Sequence, residues 1–453
     1  MLKRKQYEKL REWKLSSQGR TALLIEGARR VGKSTLAEEF ARTEYDSYML
    51  IDFSVAHKEV KQAFIDHTND FDSLFLFLQS YYRVSLTPRK SLVIFDEVQH
   101  FPKARELIKH LVKDGRYDYI ETGSLISIKK NVAGILIPSE EDKLLLNPLD
   151  FEEFLWALGE ENLAQFIRNS FEKCESLPDG LHRKAMMLWR EYILVGGMPQ
   201  VVNAYIDGKN MESADEEKRR ILGLYRDDIA KFADGERGRV SAIFDEIPGQ
   251  LSKHEKKFIL STLSPHARSR EYSGSFFWLA DACITNNCFN ATNPTVGLAL
   301  SQENTTLKCY MADTGLLVSH TFADREVTPQ EVYRDILLGK LEVNEGMLVE
   351  NAVAQQLRAS GHRLFFYSRS GAGGEERMEI DFLIAKEYDD AAMRLRISPI
   401  EVKAGKGRYA TASLDRFAAT YTSRIGTQYI LHVKQLRVEN KRVYLPLYMT
   451  HCL

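Results

Sequence analysis

The chain has 453 residues, of which 44% are hydrophobic and 28% are charged, and this composition excludes an intrinsically disordered protein. The length exceeds what one hydrophobic core usually organises, so we expect two or three domains. The formal net charge is −1, so a polyanion could be attracted only by a local basic patch and not by the field of the whole molecule.

Cysteine usage and the lack of long apolar segments indicate the compartment. The five cysteines are odd in number and scattered, which is typical of buried thiols in a reducing environment. No segment approaches the roughly 18 consecutive apolar residues of a membrane helix. The N-terminal segment MLKRKQYEKLREWKL is basic but lacks the apolar stretch of a secretory signal. We therefore expect a cytoplasmic protein without a membrane partner.

The first part of the chain alternates short apolar runs with helical patterns, which is typical of a parallel α/β sheet. Strands are predicted at residues 22–25, 48–53, 92–95, 119–122 and 144–146. Helices are predicted between them, for example at 34–42 and 71–82.

The rest of the chain changes character twice. Apolar residues recur at spacings of three and four over 150–240 and on through 251–290, which predicts helices. The segment CFNATNPTVGLAL at 288–300 is then predicted to form turns and short strands. A second α/β pattern follows, with a helix at 345–359, strands at 363–368, 379–385 and 397–403, and then a helix and two short strands. The glycine-rich segment SGAGGEE at 370–376 is predicted to be a hairpin tip or a mobile loop.

A glycine-rich loop lies between the first predicted strand and its helix. Its pattern, Gly-x-x-x-x-Gly-Lys-Ser-Thr, lets backbone N–H groups point at phosphates, and the helix N-terminus adds partial positive charge. We expect the lysine to reach the β- and γ-phosphates of ATP and the serine hydroxyl to bind Mg²⁺. The predicted nucleotide-binding residues are Gly27, Ala28, Arg29, Arg30, Val31, Gly32, Lys33, Ser34 and Thr35.

Two adjacent carboxylates end the third predicted strand, LVIFDE, whose apolar residues on both faces suit a central parallel strand. At the carboxyl end of such a strand, Asp96 is expected to hold Mg²⁺ through water, and Glu97 to orient or deprotonate the attacking water. The alternative is a helix N-cap followed by a charge in the first turn. That alternative would be preferred for DE alone, but the neighbouring phosphate loop favours the catalytic interpretation.

A hydroxyl ends the next strand in the sequence Thr122-Gly123-Ser124. Thr122 is a candidate to sense the γ-phosphate or to position water. An equally acceptable interpretation is that Ser124 caps the following helix.

The motifs GARRVGKST, FDEVQHFP and ETGS, in this order, resemble the bacterial AAA-type ATPases allied to the signal-transduction (STAND) NTPases. Four later segments extend the resemblance over nearly the whole chain: PLDFEEFLWALG at 148–159, YILVGGMPQVV at 192–202, KCYMADTGLL at 308–317 and EGMLVENAVAQQL at 345–357. The last two resemble the C-terminal domain of that family, whose function is unassigned.

The resemblance implies that Gly-Gly-Met-Pro at 196–199 begins a helical lid with Pro199 near the adenine, although the segment also suits a plain turn. It further implies that ATP acts largely as a conformational switch. Arg29, Arg30 and Arg226 are candidates for an arginine finger, and each also suits an ordinary surface or ion-pair arginine.

Charged residues lie in or at the ends of two apolar strands near the C-terminus, in the sequences Glu379-Ile380-Asp381 and Glu401-Val402-Lys403. Burying a carboxylate is unfavourable unless a cation or metal pairs with it. Asp381 and Glu401 are therefore candidates to share a divalent ion, with Lys403 polarising water and Glu350, on the preceding helix, aimed at the same spot.

This constellation resembles the PD-(D/E)XK restriction-endonuclease-like fold, which implies a nuclease site of Glu350, Asp381, Glu401 and Lys403. The alternative is a lysine–carboxylate network that holds an inactive nuclease fold.

The sequence as a whole predicts an α/β protein in four parts. These are a P-loop ATPase core with a parallel sheet at 1–150, a helical lid at 151–245, a winged-helix or spacer region at 246–325, and a restriction-endonuclease-like α/β domain at 326–453.

Two functions follow from these parts. The first is an ATP-dependent switch or motor whose C-terminal domain engages DNA or RNA and perhaps cuts it. The second is an ATP-gated regulatory or assembly protein whose nuclease-like domain is inactive and binds a protein partner. ATP and Mg²⁺ are the expected cofactors, and a homo-oligomer is a further expectation.

Overall fold

The computed structural model describes residues 1–123, 139–208, 210–233, 235–253, 255–264, 267–324, 328, 330–337, 345–369, 377–389, 394–405 and 409–453. The chain forms two compact units. The first contains Met1–Asn147 with Asp281–Cys283, and the second contains Pro148–Ala280 with Ile284–Leu453. The predicted loop at 370–376 and Ser124 lie outside the described residues.

Five parallel strands form the sheet of the first unit, in the order β2-β3-β4-β1-β5. They are β1 (Ala22–Gly27), β2 (Ser47–Asp52), β3 (Ser91–Asp96), β4 (Asp118–Gly123) and β5 (Glu141–Leu146). Strands β1, β3 and β4 are buried at every residue, whereas the two edge strands are partly exposed. This arrangement confirms the predicted parallel α/β sheet and the predicted position of every strand in it.

The helices of the first unit are α1 (Gln6–Ser17), α2 (Lys33–Glu44), α3 (Lys58–Asp66), α4 (Phe71–Tyr82) and α5 (Pro102–Asp114). Local capping explains several of their ends. The Asp70 side chain accepts a hydrogen bond from the Ser73 backbone at the start of α4. Helix α5 begins with a proline and ends at Gly115, whose φ of +74° suits glycine. The predicted helices at 34–42 and 71–82 are thereby confirmed.

The second unit begins with a largely helical region, as predicted. Its helices are α6 (Phe151–Ala157), α7 (Glu161–Glu172), α8 (Asp179–Val195), α9 (Pro199–Gly208), α10 (Met211–Phe232), α11 (Arg237–Leu251) and α12 (Ser269–Asp281). A capping box begins α6, since Asp150 and Glu153 each accept a hydrogen bond from the other's backbone N–H. Among the described residues, no helix combines the length and apolarity needed to cross a bilayer.

An eight-stranded sheet follows, in the order β12-β13-β11-β10-β9-β8-β6-β7. Its strands are β6 (Thr285–Ala291), β7 (Gln302–Met311), β8 (Phe365–Arg369), β9 (Met378–Asp389), β10 (Arg394–Lys403), β11 (Gln428–His432), β12 (Arg437–Glu439) and β13 (Arg442–Pro446). The accompanying helices are α13 (Thr314–Thr321), α14 (Gln330–Leu337), α15 (Glu345–Ala359) and α16 (Ala412–Thr420). The predicted helix at 345–359 and the three strands after it are confirmed.

The helical prediction for 251–290 is wrong in its last residues, because Thr285–Ala291 forms strand β6. This strand lies between β7 and β8, and the Asn290 side chain accepts a hydrogen bond from the Ser368 backbone. Pairing with strands distant in sequence therefore overrides the local helical pattern. Strands β6 and β7 come from the predicted winged-helix or spacer region and pair within this sheet, β6 with β8.

A buried hydrogen-bond network joins distant segments of the second unit. The Tyr192 hydroxyl donates to the Leu149 carbonyl at 2.7 Å and accepts from the Gln355 and Gln356 amides at 2.8 Å each. The Gly197 N–H donates to the Asp313 carboxylate at 2.6 Å. Every segment that extended the family resemblance beyond residue 147 contributes to this network, so their shared role in this chain is to hold the second unit together.

We expect Gly197→Ala to destabilise the second unit, because a Cβ at this position would lie 2.1 Å from the Leu149 carbonyl oxygen. The nearest atoms all belong to the Leu149 backbone, which cannot move aside as a flexible side chain would, so the free energy of unfolding should fall by about 2–4 kcal/mol. Denaturant unfolding followed by tryptophan fluorescence measures the change.

The matched control is Gly223→Ala in α10, where an added Cβ meets no atom within 4 Å. Its free energy of unfolding should stay unchanged or rise by up to about 1 kcal/mol. Equal effects of the two substitutions would contradict the steric explanation.

Candidate nucleotide-binding and catalytic site

The glycine-rich loop connects the end of β1 with the start of α2, at the edge of the sheet where parallel strands end. A Cβ on Gly27 would lie 2.4 Å from the Leu146 carbonyl oxygen, so only glycine fits there. Gly32 precedes α2 with a φ of +97°, which glycine adopts without strain. The loop therefore has the close backbone approaches that its glycines predict.

The Lys33 side chain is buried at the first position of α2, with an exposed fraction of 6%. Its ammonium donates to the carbonyl oxygens of Gly27 at 3.1 Å and Ala28 at 2.9 Å. Burial lowers the pKa of Lys33, while the charge of Glu97 acts in the opposite direction. The loop thus holds a cation against its own backbone, at the position where the sequence predicts the phosphates.

The predicted Mg²⁺ ligands are in contact. The Ser34 hydroxyl donates to Oδ1 of Asp96 at 2.7 Å, and the Thr122 hydroxyl donates to the same oxygen. Asp96 ends β3, Thr122 lies on the adjacent β4, and β4 in turn pairs with β1, which leads into the loop. Carboxylate and hydroxyl oxygens suit Mg²⁺, so Ser34 and Asp96 could hold this ion together.

Glu97 follows Asp96 in a left-handed conformation, with φ +52° and ψ +47°. This conformation is uncommon for residues other than glycine, and such residues cluster at functional sites. Glu97 precedes the 3₁₀-helix Val98–His100 without capping it through its side chain, so the capping alternative is not observed for this residue. Its carboxylate instead accepts a hydrogen bond from the Gln99 amide. Sequence reasoning missed Gln99, since only the tight turn brings it back to Glu97.

A second acidic group is buried one residue before Thr122. Glu121 is completely buried, and burial followed by the neighbouring charge of Glu141 raises its pKa well above the ordinary value. Glu141 is itself paired with Arg105, whose guanidinium donates to both of its carboxylate oxygens at 2.8 and 2.9 Å. The surroundings of Glu121 therefore favour its neutral form over the carboxylate.

In the second unit, the predicted C-terminal site is divided into two groups. Glu350 and Asp381 lie around the ammonium of Lys308, at 3.2 and 3.8 Å. Glu401 is instead paired with Lys403 at 2.7 Å, as expected for two side chains on the same face of β10. The two groups are neighbours, because the Val402 N–H donates to Asp381 at 2.8 Å. Among the described residues, no three His, Cys, Asp or Glu side chains are arranged to hold a metal ion.

Two predicted residues of the ATP cycle lie in the second unit. Pro199 begins α9, and residues 196–198 form the short turn that connects it with α8, as the turn alternative expected. The Gly197 N–H in this turn donates to Asp313. The proximity of Pro199 to the adenine stays a prediction. Arg226 is paired with Asp245 at 2.9 Å, as the ion-pair alternative expected.

A glycine loop, a buried lysine, a hydroxyl and two carboxylates at the ends of parallel strands define a P-loop ATPase domain. In agreement, the family model described as an AAA domain matches residues 19–155. Two further models, both described as domains of unknown function (DUF8612 and DUF4143), match residues 186–326 and 345–449. No curated protein matches the chain in sequence.

Three solved structures resemble the chain at low sequence identity. The Walker-type ATPase of Pyrococcus abyssi is 16% identical, covers 71% of this chain and 96% of its own, and has a TM-score of 0.40. A STAND protein with a tetratricopeptide repeat sensor from Pyrococcus horikoshii is 12% identical, with coverages of 76% and 47% and a TM-score of 0.26. Drosophila ORC bound to DNA is 12% identical, with coverages of 75% and 96% and a TM-score of 0.26.

We expect Asp96→Asn to weaken the binding of Mg²⁺-ATP by roughly tenfold or more, because it removes the charge that would face the metal ion. Binding of ATP in the presence of EDTA should change little, since the loop and Lys33 remain. Calorimetric titration under both conditions measures the difference. An equal loss with and without Mg²⁺ would show that Asp96 supports the loop rather than the ion.

Proposed function

We propose that the chain binds ATP with Mg²⁺ in the loop at 27–35 and hydrolyses it as a conformational switch. The observation that carries the proposal is the contact between Ser34 and Asp96 beside the buried Lys33. This contact brings a metal-binding hydroxyl, a metal-binding carboxylate and a phosphate-binding cation to one edge of the sheet.

Each side chain has a separate part in the proposed reaction. The Lys33 ammonium exchanges its two carbonyl partners for the β- and γ-phosphate oxygens. Ser34 and Asp96 would hold Mg²⁺, and the ion would supply positive charge next to the phosphates. Glu97, aimed by its left-handed backbone, orients the attacking water and accepts its proton.

Thr122 gives the site a way to respond to the nucleotide. Its hydroxyl donates to Asp96, and it lies 3.4 Å from the backbone nitrogen of Glu97. A change in the ligands of Asp96 would therefore reach β4 through one hydrogen bond. We assign Thr122 as the residue that links the γ-phosphate state to the sheet.

Substitutions at Lys33 and Glu97 test binding and hydrolysis separately. Lys33→Ala should weaken ATP binding by roughly 100-fold or more, because charge-assisted bonds to the phosphates are lost. Glu97→Gln should bind ATP with nearly unchanged affinity and hydrolyse it roughly 100-fold more slowly or worse. Fluorescent-nucleotide binding and phosphate release measure the two steps. Unchanged nucleotide affinity in Lys33→Ala would overturn the assignment of the phosphate site.

For the second unit, the arrangement of charges favours the regulatory alternative over a nuclease. Two lysines, Lys308 and Lys256, are paired with Glu350, and Lys308 also lies close to Asp381. We propose that this part of the chain retains the layout of a nuclease-like domain but does not cut, and that it binds a protein partner under the control of the ATPase domain.

We expect the intact protein to leave supercoiled DNA and structured RNA uncut in the presence of ATP with Mg²⁺ or Mn²⁺. Phosphate release from the same preparation shows that the ATPase domain is active. Nicking that disappears in Asp381→Ala and in Glu401→Ala would overturn the proposal and restore the nuclease interpretation.

A further inference from the structure

The Lys308 ammonium lies at the centre of three carboxylates in the second unit. Its nitrogen is 3.2 Å from Glu350, 3.5 Å from Glu379 and 3.8 Å from Asp381. The Lys308 side chain is 1% exposed, and the Glu350 side chain is 5% exposed. The side chains of Glu379 and Asp381 are 20% and 21% exposed. Three carboxylates therefore lie around one cation, and this cation is an ammonium of the chain itself.

Three secondary-structure elements bring these residues together. Lys308 and Tyr310 alternate along β7 and therefore lie on one face, and both contact Glu350 on α15. Glu379 and Asp381 alternate in the same way on β9. The ammonium on β7 therefore meets carboxylates from one helix, α15, and one strand, β9, and not from a single local turn.

Two further cations, Lys256 and Arg377, lie next to the carboxylates of the cluster. Lys256 is paired with the second oxygen of Glu350, and Arg377 lies 3.7 Å from Glu379. Arg377 is also paired with a further carboxylate, that of Glu255. Burial alone would lower the pKa of Lys308, but Glu350, Asp381 and Glu379 raise it, so the side chain stays an ammonium. Burial alone would raise the pKa of Glu350, but Lys308 and Lys256 lower it, so the carboxylate stays ionised.

We propose that the Lys308 ammonium is the resident cation of this cluster and occupies the position of a divalent metal ion, so that its removal converts the cluster into a divalent-cation site. The inference rests on the proposed non-catalytic role of this domain. It identifies Lys308 as the residue that fills the position of the metal ion. Oxygen ligands contact Mn²⁺ or Mg²⁺ at about 2.0–2.2 Å, so the ion and the ammonium cannot occupy the cluster together.

Mn²⁺ binding to the full chain tests the proposal. All proteins in the experiment carry Asp96→Asn, so that the ATPase domain contributes little metal binding. Lys308→Ala should then bind about one Mn²⁺ per chain at least roughly tenfold more tightly than the parent protein, because three carboxylates lose their central cation. Adding Asp381→Asn should abolish the gain. Free Mn²⁺ measured by electron paramagnetic resonance gives the stoichiometry and the affinity.

Lys256→Ala is the matched control, since it removes the other ammonium from Glu350 and leaves Lys308 at the centre. It should gain no Mn²⁺ binding. A folded Lys308→Ala protein without the gain overturns the proposal, and so does Mn²⁺ binding by the parent protein that depends on Asp381.

Folding of Lys308→Ala could itself depend on the lost cation, and this gives a second measurement. If the variant unfolds in metal-free buffer, recovery of the folded protein by Mn²⁺ supports the proposal, and no recovery contradicts it. Nicking of nucleic acid by the wild-type protein would instead overturn the non-catalytic role. The inference and the proposed function therefore fail by different results.

Discussion

A carboxylate buried away from water has to be neutralised, hydrogen-bonded or protonated, and this constraint organises both units of the chain. Asp96 accepts hydrogen bonds from the hydroxyls of Ser34 and Thr122. Burial and the neighbouring charge of Glu141 raise the pKa of Glu121, which favours its neutral form. Glu350 is surrounded by ammonium groups. The hydroxyl partners of Asp96 are uncharged, and this carboxylate lies beside the phosphate loop.

Two of the buried lysines, Lys33 and Lys308, show the same contrast between hydrogen bonding and neutralisation. Lys33 donates to two carbonyl oxygens, which satisfy its hydrogen bonds but do not cancel its charge. Lys308 has carboxylates from two elements within 4 Å, so its charge is cancelled inside the protein. A cation with carbonyl partners can exchange them for phosphate oxygens at little electrostatic cost, whereas separating Lys308 from its carboxylates would leave buried charges unpaired. The first cation suits an exchangeable ligand, and the second suits a permanent structure.

The sequence predicts well what depends on neighbouring residues. The strands of the first unit, the phosphate loop and helix α15 follow from apolar periodicity and from glycine and lysine at fixed spacing. The contact of Ser34 with Asp96, 62 residues apart, could also be anticipated, since the carboxyl ends of parallel strands meet at one edge of the sheet. A topological rule supplied the long-range information in that case.

No comparable topological rule was available for the pairing of strand β6 or for the contacts of Lys308, and these were not predicted from the sequence. Strand β6 has a local pattern that suits a helix, and its pairing with β7 and β8 decides its conformation. Lys308 contacts Glu350, 42 residues later in the chain, and the spacing of charges within each segment gives no sign of it. The carboxylates of a metal site and of a lysine-filled cluster have the same spacing in a sequence. The two kinds of cluster differ only in whether a distant strand places an ammonium among the carboxylates. The choice between a metal site and a lysine–carboxylate network at Glu350 and Asp381 therefore depends on where β7 places Lys308.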